Sequence, residues 1–429
     1  MNNIFLKLIL ILFALNSCAQ KDTVSIFRNN EGFKLVVNGE DFIINGMNWD
    51  YYPIGTNYSY SLWEQSDVII KEALDAEMNL LKDMGVNTIR VYVGIQPKWI
   101  TYIYENYGIY TMLNHSFGRY GLSINGNWIS ATDYRDVETQ KVLIEEISEI
   151  SKTYKDTRGL LLFLLGNENN YGLFWAGGET EDFPENQKEI DLKGEKLGRP
   201  MYRLMNKAAK KIKSIDSNHP VAICNGDLGF LEIIAEECLD VDIYGTNMYR
   251  GKSFTDAFNK VKEVLNMPIL FTEFGADAFN VISNKEDQQM QAFYMLENWK
   301  EIYENAAGLG KSQNSLGGFT FQFSDGWWKF GQTINLDKHD THASWMGGGY
   351  EIDLKKENKN MNEEWFGICA KGPTNEKGLY TLYPRAAYYA LKEAHKLNPY
   401  LKGVSLDSIS KHFSKIKISD IYFKLTQKQ

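Results

Sequence analysis

Short apolar runs alternate along this chain with longer segments in which apolar residues recur at helical spacing. Runs of about five residues have the length of single strands, and apolar positions three or four residues apart are typical of amphipathic helices. Regular alternation of the two predicts a parallel sheet. Eight apolar runs occur, at Phe42–Met47, Thr88–Val93, Ile109–Asn114, Leu160–Leu165, Pro220–Cys224, Val241–Thr246, Pro268–Phe271 and Gly318–Phe323.

The order and number of these elements favour an α/β fold, the (β/α)8 TIM barrel, over an open doubly wound sheet. A dinucleotide-binding sheet has little support because no G-x-G-x-x-G motif follows the first strand. The barrel fold places functional residues just beyond the C-terminal ends of its strands. The predicted helices are Ala73–Met84, Val137–Tyr154, Tyr202–Ile215, Phe254–Leu265, Asp287–Ala306 and a closing helix at Arg385–Leu397.

Additions to the barrel are predicted at both ends and in two loops. Asn38-Gly39 separates two strand-like runs and predicts an N-terminal β-hairpin. Long loops after strands 4 and 8, at about 169–200 and 324–365, are expected to wall a cleft. Residues 402–429 alternate weakly, which predicts a short strand pair or a mobile tail. We therefore divide the chain into a signal (1–17), a tether (18–29), a catalytic barrel (30–398) and a C-terminal extension (399–429).

Composition narrows the class of partner. The chain has 429 residues, is 44% hydrophobic and carries a formal charge of −9, so it can bury a core and has no electrostatic reason to bind nucleic acid. Its 10 Trp, 25 Tyr and 23 Phe supply many flat ring faces, which suit sugars as well as ordinary cores.

The first residues predict export. An apolar run after Lys7 is too short to span a bilayer and is typical of a signal peptide. Leu15-Asn16-Ser17-Cys18 resembles the lipobox of bacterial lipoproteins, which implies acylation of Cys18 and anchoring to the bacterial outer membrane, facing the periplasm or the surface. The alternative is a plain signal peptide with a chance Cys. We expect contact with the membrane through this lipid only.

The remaining cysteines, Cys224, Cys238 and Cys369, allow at most one disulfide within the chain. Cys224 and Cys238 are the nearer pair. However, Cys224 lies inside an apolar run, where a small buried thiol is the commoner explanation.

Two Glu residues stand where buried strands end. Glu168 follows the wholly apolar fourth strand, and Glu273 follows the seventh. Strand ends three positions apart face each other across a barrel mouth, so the two carboxyl groups are expected to meet there. Glycosidic cleavage needs such a pair: one protonated carboxyl for the leaving oxygen, and one carboxylate to attack the anomeric carbon.

The motifs around the two Glu also carry a family resemblance. Gly166-Asn167-Glu168 and Thr272-Glu273-Phe274-Gly275-Ala276-Asp277 resemble the acid/base and nucleophile motifs of clan A glycoside hydrolases, and the second is most similar to glycoside hydrolase family 2. The resemblance covers about residues 30–395, although the N-terminal β-domains usual in that family are missing, so we expect a free-standing barrel. Further similar segments are Gly32–Gly39, Phe42–Asn48, Asn87–Arg90, Asn247–Gly251 and Phe321–Trp328.

The resemblance implies a retaining mechanism, with a covalent glycosyl-enzyme intermediate and carboxyls about 5 to 5.5 Å apart. Glu168 would be the acid/base and Glu273 the nucleophile. Arg90 would hydrogen-bond Glu273 and keep it ionised, and Tyr249 would hold its other oxygen; the alternatives are a surface ion pair and aromatic packing. Asn167 would bind the sugar 2-hydroxyl, unless it only caps a turn.

Aromatic residues near strand ends are further candidates. Trp327 would form the floor under the cleaved ring, whereas Trp328 should point elsewhere because adjacent extended residues face opposite sides. For other residues, packing is as good an explanation as substrate contact. These residues are Trp49, Asn114, His115, Trp175 and Trp345.

Other chemistries have less support. Asp337, His339, Asp340 and His342 recur at spacings that metal ligands use, but a solvated loop explains them better, and we expect neither a metal nor a cofactor. No G-x-S-x-G motif marks a serine hydrolase. The sequence thus predicts a retaining β-glycoside hydrolase acting on a β-linked glycan. Two alternatives remain open: a β-glucan transglycosylase that uses the same two Glu, and a non-catalytic glycan-binding lipoprotein.

Overall fold

A closed barrel of eight parallel strands forms the centre of the protein. The computed structural model describes residues 22–174, 186–329, 331–356 and 358–427. The signal segment, Cys18 and Trp175 lie outside these residues. All eight predicted strands are confirmed, with the last one shifted towards the N-terminus. The barrel strands are Ile44–Asn48, Thr88–Tyr92, Tyr110–His115, Leu160–Leu165, Val221–Gly226, Ile243–Asn247, Ile269–Phe274 and Ser315–Thr320.

Helices cover the outside of the barrel. Every predicted helix is present, although the one predicted over 254–265 is a single α-turn followed by a π-helical turn, Val261–Leu265. Within the described ranges, none of the helices combines the length and apolar character needed to cross a bilayer. The α-helices are Asp67–Asp83, Pro97–Tyr107, Val137–Tyr154, Gln187–Lys193, Arg199–Ile215, Leu231–Glu237, Ala257–Lys260, Gln288–Glu304, Ala386–Ala394, Leu406–Ser414 and Ile418–Thr426.

A three-stranded antiparallel sheet closes the bottom of the barrel. Its strands are Val24–Asn29, Gly32–Val37 and Glu40–Phe42. Asn38 and Gly39 have φ of 52° and 89°, as the predicted hairpin turn requires. The first strand was expected to be part of a tether; it pairs instead with Gly32–Val37 because its apolar residues alternate and pack under the barrel. The sheet lies at the N-terminal ends of the barrel strands, opposite the end at which Glu168 and Glu273 stand.

The C-terminal residues do not form a strand pair or a tail. They form the two helices Leu406–Ser414 and Ile418–Thr426, and the first of these buries Ile409 and Phe413. Both helices pack against Gln288–Glu304, which holds residues 406–426 on the outside of the barrel.

Three hairpins lie at the end of the barrel where the strands terminate, which we call the upper end. They are Leu122–Ile124 with Asn127–Ile129, Phe279–Asn280 with Lys285–Glu286, and Cys369–Thr374 with Tyr380–Pro384. The loop after the eighth strand is tied to the closing helix by Arg385, which donates to Asp325 at 2.6 and 2.7 Å and to Glu286 at 2.6 Å. Asp325 and Arg385 are both buried, so this network fixes the loop firmly.

Candidate active site

Glu168 stands on a tight turn at the end of the fourth barrel strand. Its φ is 56°, a left-handed conformation that costs free energy in a residue other than glycine. The turn is held by Asn169, whose side chain accepts from the Asn167 backbone N–H at 2.7 Å, and by a bond from the Glu168 N–H to the Cys224 carbonyl at 3.0 Å. Backbone strain that is fixed in this way is common at functional sites.

Two causes raise the pKa of Glu168 to about 7: its burial and the negative charge of Glu273. The side-chain amide of Asn247 donates to Glu168 Oε1 at 3.1 Å, which partly opposes them. Near neutral pH this carboxyl is therefore able to hold a proton and release it.

Glu273 ends the seventh strand and is held by two donors. Arg90 Nη1 lies 2.6 Å from Oε1, and the hydroxyl of Tyr249 donates to Oε2 at 3.0 Å. The Arg90 side chain is buried, so its charge acts on Glu273 with little screening by water. Both contacts expected from the sequence are present, and a surface ion pair is excluded for Arg90.

Arg90 also connects the strand ends to one another. Its Nη2 donates to Asn167 Oδ1 at 2.7 Å, and its Nε donates to Asn114 Oδ1 at 2.8 Å. Asn247 Nδ2 donates to the same Asn167 oxygen at 3.0 Å. Asn167 thus belongs to the side-chain network of the site and does more than cap a turn.

Sequence reasoning missed several polar residues of this network. Five of them stand at or near the C-terminal end of a barrel strand, and that position was the signal that would have found them, whereas Tyr120 lies in the loop after the third strand. Cys224 is the least expected member: its Sγ lies 3.2 Å from both Asn247 Oδ1 and Thr272 Oγ1, and burial raises its pKa to about 11. The missed residues are Asn48, Tyr92, Tyr120, Cys224, Asn247 and Thr272.

All three of Cys224, Cys238 and Cys369 are free and buried. The explanation of Cys224 as a small buried thiol is confirmed.

Trp327 is part of a stack of three aromatic rings. His339 lies parallel to Trp327, with ring centroids 4.7 Å apart, and on its other side it stacks on Trp365 at 3.9 Å. The indole N–H of Trp327 is buried and has no hydrogen-bond partner among the described residues. Trp328 packs separately against Tyr52, as the alternation of neighbouring side chains predicted.

The loop at 337–342 is solvated as expected except at His339 and Asp340, which are partly buried. His339 is 15% exposed because two indole rings enclose it, and its Nε2 lies 2.8 Å from the Glu364 carbonyl. Asp340 pairs with Lys329. Asp337 and His342 are exposed to water.

Two substrate-binding candidates are packing residues. Trp49 is 4% exposed, and its N–H donates to Glu77 at 2.6 Å. His115 accepts from the Phe117 backbone N–H at 3.2 Å and lies 3.2 Å from Glu146. Their polar atoms already have partners within the protein, so a packing role fits Trp49 and His115 better than substrate contact. Asn114 is buried as a partner of Arg90, and Trp345 packs edge-on against Tyr249 at 5.6 Å.

The family described as "Glycosyl hydrolases family 2, TIM barrel domain" matches residues 30–307, which is more than half of the chain. The chain belongs to glycosyl hydrolases family 2. The resemblance first noted in the motifs around Glu168 and Glu273 is thereby confirmed for the family.

Solved structures of glycosyl hydrolases family 2 share the fold. A β-galacturonidase from Eisenbergiella tayi is 15% identical with a TM-score of 0.53, covering 89% of this chain and 55% of that one. A β-D-glucuronidase from Dictyoglomus thermophilum is 15% identical with a TM-score of 0.54, covering 88% and 55%. At this identity the likeness shows the barrel alone.

A curated relative is the probable 1,3-beta-glucanosyltransferase GAS3 of Saccharomyces cerevisiae. It is 24% identical over 273 residues, which is 56% of this chain and 47% of the relative. The chain spans about half the length of the proteins that it matches.

Proposed function

We propose that this protein is a retaining β-glycoside hydrolase that cleaves β-linked poly- or oligosaccharides by double displacement. Glu168 protonates the leaving oxygen while Glu273 attacks the anomeric carbon and forms a glycosyl ester. Glu168, now ionised, then takes a proton from water, which attacks the anomeric carbon and releases Glu273. The proton that leaves with the departing hydroxyl is replaced by one from water, so both Glu residues end the cycle in their starting states.

The observation that carries this proposal is the unequal surroundings of the two carboxyls. Arg90 and Tyr249 stabilise negative charge on Glu273, as a nucleophile requires. Burial and the charge of Glu273 raise the pKa of Glu168 to about 7, as a general acid requires. Two neighbouring carboxyls in such different environments match the two roles of glycosidic cleavage.

Other residues have supporting roles in this proposal. Asn167 binds the sugar 2-hydroxyl, and its bond to Arg90 fixes the amide so that its NH2 group points towards Tyr120. Tyr249 orients Glu273. Trp327 forms the floor under the cleaved ring, and its stacking on His339 holds the indole in place.

The test uses the protein from residue 19 onwards, with β-linked polysaccharides and aryl β-glycosides as substrates. Released reducing ends are measured for the wild type, Glu273→Ala and Glu168→Gln. We expect release by the wild type and a loss of at least about 1,000-fold in Glu273→Ala. Equal activity of the wild type and both variants, or a product with inverted anomeric configuration, would refute the mechanism. Binding of glycans without any cleavage would favour the non-catalytic alternative.

A transglycosylase is the second candidate, and the similarity to the probable 1,3-beta-glucanosyltransferase supports it. The same covalent intermediate would then react with a sugar hydroxyl in place of water. Incubation with β-1,3-glucan oligosaccharides of defined length distinguishes the two, since products longer than the starting oligosaccharide arise only by transfer.

Export and acylation at Cys18 belong to the same proposal. The basis is the sequence Leu15-Asn16-Ser17-Cys18 after an apolar run. Mass spectrometry of the membrane fraction should detect a diacylglyceryl group on Cys18. Cys18→Ser should release the protein from the membrane, and unchanged membrane association of that variant would contradict the lipid anchor.

A further inference from the structure

A small hairpin beside the candidate active site carries an exposed tryptophan. The hairpin pairs Leu122–Ile124 with Asn127–Ile129 and follows the third barrel strand. Trp128 is 63% exposed, and its neighbour Ile129 is 38% exposed. Exposing a large indole costs free energy, and an exposed apolar group beside a polar cleft is typical of a binding surface.

The Trp128 indole is supported on one side by the protein backbone. The ring lies against Gly121, where a Cβ atom would stand 2.7 Å from the indole carbon Cζ2. Gly121 also has a φ of 99°, which favours glycine. The absence of a side chain at this position therefore makes room for the ring against the backbone, while Trp128 stays 63% exposed.

The platform is linked to the catalytic network through the next residue of the chain. Tyr120 precedes Gly121, and its hydroxyl accepts from Asn167 Nδ2 at 2.7 Å. Consecutive Cα atoms are about 3.8 Å apart, so the Trp128 ring lies on the chain segment that touches Asn167. Tyr120 and Tyr92, 42% and 39% exposed, continue this aromatic surface towards Arg90.

We propose that Trp128 is a sugar-binding platform for a pyranose ring next to the one that is cleaved. This inference rests on the proposed function, and it narrows the substrate class to oligo- or polysaccharides that extend past the two Glu residues. The C–H face of a pyranose ring packs on a flat aromatic face, and the negative π-surface attracts its C–H hydrogens. A glycan chain leaving the cleft over Tyr120 would reach this ring.

A folded protein partner fits this surface less well. The hairpin has only three residues in each strand, and the three residues of Asn127–Ile129 are all exposed and are mixed polar and apolar. A stable protein interface covers about 800 Å² on each partner, whereas one indole offers a fraction of that area. A single ring that continues a polar cleft is matched in size to a single sugar.

The test measures binding without requiring cleavage. Affinity gel electrophoresis is run with soluble β-1,3-glucan, β-1,4-glucan, galactan, mannan and polygalacturonate in the gel. The proteins are the wild type, Trp128→Ala, Trp128→Tyr and Phe423→Ala, each in the Glu273→Ala background as well. Phe423 is the matched control because it is also 63% exposed but lies on the outer C-terminal helix.

We expect at least one polysaccharide to retard the wild type, and its dissociation constant to rise about tenfold in Trp128→Ala, the loss of one aromatic contact. Trp128→Tyr should keep most of the binding, and Phe423→Ala all of it. Equal retardation of Trp128→Ala and Phe423→Ala would overturn the platform, and so would no retardation of the wild type by any of the five glycans.

Measuring cleavage by the same variants distinguishes a failure of the Trp128 platform from a failure of the proposed hydrolase function. If retardation depends on Trp128 but no variant releases reducing ends, the platform stands and the hydrolase proposal fails. If the wild type cleaves polysaccharide and aryl glycoside, the ratio of the two kcat/KM values should fall about tenfold in Trp128→Ala, because only the polymer reaches the platform. An unchanged ratio would refute the platform and leave the hydrolase intact.

Discussion

Arg90 binds Glu273 through one terminal nitrogen and Asn167 through the other, at 2.6 and 2.7 Å. One planar guanidinium therefore sets the distance between the seventh strand, which carries Glu273, and the turn that carries Glu168. The side chain is 2% exposed in total and comes from the second strand. The geometry of both carboxyl-bearing segments thus depends on a residue that carries out no bond breaking itself.

Arg90→Lys should lower kcat/KM by about 100-fold or more. The single ammonium of lysine cannot replace the planar guanidinium, whose two terminal nitrogens bind Glu273 and Asn167 at once. Steady-state kinetics on an aryl β-glycoside measure this, with circular dichroism to check folding. Arg203→Lys is the control, since Arg203 forms only an exposed pair with Glu237. A loss in Arg90→Lys smaller than about threefold would show that positive charge alone is sufficient.

The pH dependence of activity should follow Glu168. Because burial and the charge of Glu273 raise its pKa to about 7, the acid form is lost as pH rises through that value, and kcat/KM should fall on the alkaline side. In Glu168→Gln this limb should disappear, and activity should persist only for substrates whose leaving group needs no protonation. An alkaline limb that remains in Glu168→Gln would assign the ionisation to another residue.

Stability should change with pH in the same direction. The folded protein holds the Glu168 proton more tightly than the unfolded chain, so this stabilisation is complete below a pH of about 4 and is lost as pH rises through about 7. Glu168→Gln removes the ionisation, so its Tm relative to wild type should be higher at pH 8 than at pH 5. Thermal unfolding at both pH values checks this, and the opposite sign would contradict the raised pKa.

His339 should act by holding Trp327. His339→Ala leaves a gap between two indole rings, and we expect KM for an oligosaccharide to rise by about three- to tenfold as Trp327 loses its support. His339→Phe keeps a flat ring and should retain most of the affinity. If both variants behave alike, stacking is not what His339 contributes.

Trp49 should matter for stability and not for substrate affinity. Trp49→Phe removes the donor to Glu77, a buried carboxyl whose burial raises its pKa to about 8. Leaving that oxygen unpaired should cost about 1–3 kcal/mol of unfolding free energy. Urea unfolding measures the loss, while KM should stay within about twofold of the wild type. A large change in KM with unchanged stability would show that Trp49 contacts the substrate.

The barrel was predictable because its strands are short, apolar and separated by amphipathic helices. The C-terminal helices were not, because Ile416, Lys417 and Ile418 alternate like a strand although they lie at the junction of two helices. The positions of Glu168 and Glu273 at the same end of the barrel were predictable because each follows an apolar run. Sequence could not reveal that Trp49 turns towards Glu77 or that His339 enters an aromatic stack, since both depend on contacts between distant segments.

The barrel must close before Glu168 and Glu273 can come together. The eighth strand pairs with the first, and Asn48 Nδ2 donates to the Thr272 and Phe319 carbonyls at 3.0 and 3.3 Å, joining the first, seventh and eighth strands beneath Glu273. A nascent chain thus carries both Glu residues long before they share a pocket. The region matched to the family ends at residue 307, ahead of the last strand. A fragment cut there would expose the first and seventh strands as unpaired edges and would tend to aggregate.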